Sequence, residues 1–146
     1  MFLSRPILAI VAVAALWSVG AAASAQVIVT ADTAKWQPGT GAFKGAQIAT
    51  VVGNPAASGA YYAYLLKLPD GMQVPPHFHG MSENVNVISG TLMVGLGDTV
   101  VAAKMLALPT GGIASIPGGV HHYAIAKGDA IIEVSGVGPD TITFLH

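Results

Sequence analysis

Pro75-Pro76-His77-Phe78-His79-Gly80-Met81-Ser82-Glu83 is the stretch on which the fold turns. In an extended strand alternate side chains share a face, so His77 and His79 point the same way, with Cα atoms about 6.5 Å apart. Two imidazoles at that separation can converge on one ion. The prolines ahead of them deny ladder hydrogen bonds and suit an edge or rim position. Glu83 follows a Gly-containing bend with the same parity. Imidazole plus carboxylate is a donor set for Fe(II), Mn(II), Ni(II), Cu(II) or Zn(II). His-x-His alone recurs freely as a short motif, and a lone histidine is more often a surface or satisfied core residue. The surrounding chain has to decide.

Outward from this stretch the sequence is a series of short β-favouring runs bounded by Gly, Pro and Asp. They are residues 61–68, 73–79, 84–89, 91–96, 113–116, 122–127, 130–135 and 141–145. The intervening Pro69-Asp70-Gly71, Ser89-Gly90, Gly97-Asp98, Pro109-Thr110-Gly111-Gly112, Pro117-Gly118-Gly119 and Gly128-Asp129 are turn signals. Glycine supplies positive φ, proline fixes φ, and aspartate bonds its own backbone. Short strands at this spacing predict an all-β sandwich or barrel, a shape that can hold one ligand inside. Residues 26–60, rich in Gly, Ala, Thr and Pro, read as an N-terminal arm with a strand at 47–52. Residues 61–146 read as the barrel. The run 100–108 suits either a short helix or a strand.

The second chemistry-bearing segment is Pro117-Gly118-Gly119-Val120-His121-His122, a tight turn entering a strand. Two spacings now stand together. The first is Gly71-(five residues)-His77-x-His79-(three)-Glu83-(six)-Gly90, and the second is Gly111-(five)-Pro117-x-Gly119-(two)-His122. Together they resemble the two signature motifs of the cupin superfamily. The resemblance implies a single-domain, cupin-like antiparallel β-barrel of jelly-roll type. It makes His77, His79, Glu83 and His122 the ligands of one divalent metal ion, and Gly71, Gly90, Pro117 and Gly119 structural turns. One position departs: the second motif often ends in Asn four residues after its histidine, and Ala126 stands there. The resemblance points to Fe or Mn, whereas affinity order alone favours Cu or Zn, and Ni also suits the donor set. It also makes a homodimer an expectation.

Parity within the strand selects His122 over His121. Its neighbours of equal parity, Ala124 and Ala126, suit a pocket wall, and His121 and Tyr123 are expected to face outward. The same alternation places Met81, Val85 and Val87 in the pocket lining. Tyr62 and Tyr64, or else Tyr61, would point inward. A hydroxyl near the metal could donate a proton or orient a substrate, so Glu83, Tyr62 and Tyr64 are the candidate catalytic residues. Packing is the plainer role for the tyrosines, as it is for Leu65, Leu66, Phe78, Met72, Met93 and Met105. His146 reads as a frayed terminus.

Composition narrows the function. Arg5 is the single arginine, beside five lysines and seven acidic residues, and there is no cysteine. Thiolate metal sites and cysteine nucleophiles are therefore excluded. Nucleic-acid binding has no electrostatic footprint, and an arginine clamp on a carboxylate or phosphate is absent. Arg5, the apolar run from Pro6 to Gly20 and Ala23-Ser24-Ala25 resemble a secretory signal peptide cleaved after Ala25. An uncleaved anchor is the alternative, but the run is short for a span of about 20 residues. The expectation is a periplasmic or secreted protein with no stable membrane insertion after cleavage. Within it, a metal-dependent oxygenase on a small, fairly apolar or enol-type substrate stands first. A metal-dependent lyase, isomerase or decarboxylase is a related reading, and a non-catalytic binder of metal or small ligand is the other.

Overall fold

Glycine and proline punctuate the chain, and the strands begin and end at that punctuation. The computed structural model describes residues 26–145; the expected signal segment 1–25 and His146 lie outside them. Its strands are β1 (Gln37–Pro38), β2 (Gln47–Val52), β3 (Tyr61–Leu68), β4 (Gln73–His79), β5 (Glu83–Leu96), β6 (Leu106–Pro109), β7 (Ile113–Ile116), β8 (His122–Val137) and β9 (Ile142–Phe144). The named strands pair antiparallel throughout, in the order β1-β2-β3-β8-β4-β9, and β5 pairs with β6, β7 and β8. The result is a strongly curled sheet whose concave side carries Leu66, Leu68, Val87, Leu92, Ala126 and Ile132 as core. β2, β3, β4 and β7 occupy the runs expected for them.

Two expected turns are bends inside long strands. β5 runs through Ser89-Gly90 and β8 through Gly128-Asp129. Glycine at φ +80° and +73° turns the backbone there without ending the pairing. The first part of β5 pairs with β7 and the far end of β8. Its second part pairs with β6 and the near end of β8. β8 likewise changes neighbour, from β4 to β3. A methyl at Gly90 would run into the Asp129 carbonyl as well as demand a left-handed backbone. Gly90→Ala should therefore cost about 1–3 kcal/mol, read as a lower midpoint in urea; an unchanged midpoint would show that the bend does not need glycine.

The run 100–108 resolves into a 3-10 turn, Ala102–Lys104, followed by β6. It also corrects one expectation. Tyr123 does point away from the concave side, yet it is wholly buried. The loop before β6 folds over it, and its hydroxyl accepts the Val101 N–H at 2.9 Å. Its ring fills the space left by the missing side chain of Gly95.

Candidate metal centre

Strand geometry brings four side chains from three segments to one place. His77 and His79 lie near the end of β4, Glu83 opens β5 and His122 opens β8. His77 and His122 are direct cross-strand partners. All four are buried. One donor atom from each lies within 4.8 Å of the others.

The imidazoles are already oriented. His77 Nδ1 donates to the Pro75 carbonyl at 2.7 Å and His122 Nδ1 to the Val120 carbonyl at 3.0 Å. His79 Nδ1 donates to Asp140 Oδ1 at 2.6 Å. With Nδ1 committed as donor, the lone pair of each ring sits on Nε2. The Nε2 atoms of His122 and His79 stand 2.8 and 3.3 Å from Glu83 Oε1. Burial pushes the His77 pKa down to about 4, so that ring is neutral at neutral pH. Burial opposes charge on His79 too, but the Asp140 hydrogen bond and the Glu83 charge outweigh it and its pKa rises. Three neutral-capable imidazoles and one carboxylate, preoriented and withdrawn from water, fit a single divalent metal ion.

The cluster opens on a small cavity of about 50 Å³. Val74, Val85, Leu92, Val94, Ala124 and Val134 are among its apolar walls. The four candidate ligands and Tyr64 supply the polar side chains of its lining among the described residues.

The structure sorts the expected residues. Val85 and Ala124 line the cavity, while Val87 and Ala126 are buried in the core outside the lining. Met81 is a correction: it is exposed, because the Gly80–Ser82 bend breaks the strand parity that would have turned it inward. Phe78 is also corrected, lying half-buried and stacked on His121 at 5.0 Å rather than in the core. His121 faces outward and donates from Nδ1 to Asp98 at 2.6 Å. Tyr62 and Tyr64 point inward and stack on each other, and Tyr61 is exposed. Tyr64 alone of the three lines the cavity. Burial first, then the Asp140 and Glu83 charges, hold both inward phenols above the ordinary tyrosine range, so neither ionises near neutral pH.

Two further residues reach the site without a local sequence signal. Phe43, on the arm, closes one side of the cavity. Asp140 sits behind His79, just ahead of the expected run 141–145.

Solved structures share this architecture. An RmlC-like cupin from Shewanella frigidimarina aligns over 76% of this chain and 89% of its own, with a TM-score of 0.59 at 16% identity. KdgF from a Halomonas species aligns over 79% and 94%, with a TM-score of 0.59 at 20% identity. The fold is a cupin fold. A third cupin-like neighbour, a Methylibium petroleiphilum protein named for an acetylacetone dioxygenase activity, aligns over 84% and 83%, with a TM-score of 0.63 at 16% identity. No family model and no curated protein matches the sequence. Shape therefore carries the cupin likeness, and the His/Glu cluster occupies the interior of that fold.

Proposed function

We propose that this chain is an exported, mononuclear metal-dependent oxygenase of the dioxygenase type, acting on a small, fairly apolar or enol-type substrate. One observation carries the reading: four preoriented donors at the wall of an apolar cavity whose described lining has no lysine or arginine. A neutral substrate leaves water for such walls at little cost, whereas a carboxylate or phosphate would lose its hydration with no cation to meet it. When bound, the metal would supply Lewis acidity and, as iron, activation of dioxygen. His77, His79, Glu83 and His122 would hold it, and Fe or Mn is the expected ion. The apolar walls exclude water, and Tyr64 is the hydroxyl available to orient a substrate oxygen. Ala23-Ser24-Ala25 supports export, and the mature chain would start at Gln26.

Protein taken from the periplasm, loaded with Fe(II) and offered β-diketones, flavonols and catechols should consume oxygen in step with loss of one of them. Absence of consumption across that panel, with either Fe(II) or Mn(II), would sink the oxygenase reading. A small-ligand binder is the second reading, favoured because the described lining holds no acid–base group beyond the ligands and Tyr64. Saturable binding of a panel compound without turnover would select it.

A further inference from the structure

We infer that Asp140 is a positioning residue of this centre, setting the donor strength of His79 and accepting the hydrogen bond of the Tyr64 hydroxyl, so that the phenol oxygen is left as an acceptor. The inference rests on the metal reading above. The three histidines are not equivalent. His77 and His122 are each anchored by a backbone carbonyl two residues earlier in the chain. His79 is anchored by a carboxylate 61 residues later. The Asp140 side chain is 5% exposed, as sequestered as the ligands themselves. Its Oδ1 accepts from His79 Nδ1 at 2.6 Å and its Oδ2 accepts from the Tyr64 hydroxyl at 3.2 Å.

The backbone holds this carboxylate in place. The Asp140 N–H donates to the Pro55 carbonyl at 2.7 Å, and the neighbouring Thr141 carbonyl accepts the Gly80 N–H at 3.1 Å. Ile142, two residues on, pairs with His79 itself across β4 and β9. A buried carboxylate is costly unless its oxygens are hydrogen-bonded, and here both are matched by donors at the site.

Two consequences follow from chemistry. A carboxylate partner on Nδ1 raises the basicity of an imidazole ligand and fixes its tautomer and orientation more firmly than a carbonyl does. His79 is therefore the strongest donor of the three rings. The Tyr64 O–H already donates to Asp140, so towards a substrate the hydroxyl offers lone pairs. It would orient a ligand that brings its own O–H, such as an enol, rather than protonate one.

Co(II) titration against a competing chelator, with visible absorption spectra of the bound ion, tests the first consequence on the full chain. D140A should bind Co(II) about 10–100-fold more weakly than wild type, with an altered d–d spectrum. D140N, whose amide oxygen still accepts from His79 but carries no charge, should fall between the two and keeps the shape needed for folding. H121A, whose ring faces outward onto Asp98 and Phe78, should bind Co(II) as wild type does. As a readout that needs no variant, histidine 15N spectra of the Zn(II)-loaded wild type should show, among the three ligand rings, one Nδ1 distinct from the other two. Wild-type affinity and spectrum in D140N and D140A, or three equivalent Nδ1 signals, would overturn the inference while leaving the metal site standing. A wild type that binds neither Co(II) nor Zn(II) would bring down the metal reading itself.

Discussion

His122→Ala should leave the protein unable to retain a stoichiometric metal ion, while His121→Ala should retain it as the wild type does. The two side chains sit next to each other in sequence, His122 opening β8 and His121 just ahead of it, and they face opposite ways. His122 is buried, with Nε2 at 2.8 Å from Glu83 Oε1 and Nδ1 tied to a carbonyl. Its loss removes one of four donors and leaves the inward face of β8 with alanines. The expected fall in affinity exceeds the roughly 10–100-fold that follows loss of an outer partner. His121 pairs with Asp98 and stacks on Phe78 on the outside, so its removal touches none of the donors. Metal content after desalting, together with Co(II) titration, separates the cases. Retention in H122A, or equal loss in both, would place the metal elsewhere.

Adding Zn(II) to chelator-treated protein should raise its unfolding midpoint, and the gain should shrink as pH falls. The donors come from β4, β5 and β8, so an unfolded chain does not present them together, and binding to the native state alone stabilises by mass action. Free metal at one hundred times its dissociation constant corresponds to about 2.7 kcal/mol. The pH sign follows from the two shifted histidines. His77, depressed to about 4, is neutral through pH 5–8 and releases no proton on binding. His79 is raised above its ordinary value, so below that range a proton must leave before its ring can serve as a ligand. The metal-induced shift should therefore grow as pH rises through neutrality. Thermal scans with and without Zn(II) at several pH values check this, and a shift independent of pH would mean that His79 is not among the ligands.

The strands and the His/Glu cluster were legible in the sequence because their signals are local. Residues 47–52, 61–68, 73–79 and 113–116 are bounded by Gly, Pro or Asp, and the structure ends the strands there. His77, His79, Glu83 and His122 are the set that the cupin resemblance implies, with parity choosing His122 over His121, and the fold brings the four together. What stayed hidden depends on distant partners. Gly90 and Gly128 can end a strand or bend it, and only the continuous pairing of β5 with β8 decides for bending. Tyr123 alternates outward as parity requires, yet a loop from elsewhere covers it. Met81 shows parity failing across a bend. Asp140 and Phe43 carry no periodic signal; each reaches the site because another segment places it there.

β5 and β8 pass through the whole curled sheet, so its two halves share a spine and cannot slide past each other as separate plates. Shear between layers is closed to this molecule. Breathing is left to the free margins, where β1 with the arm and β9 with the terminus are the shortest strands. Phe43 sits on that margin, on a 3-10 turn with no side-chain cap, and forms part of the cavity wall. For a ligand that enters past Phe43, residence times in the pocket should follow hydrogen-exchange rates around residue 43 rather than the global stability of the protein.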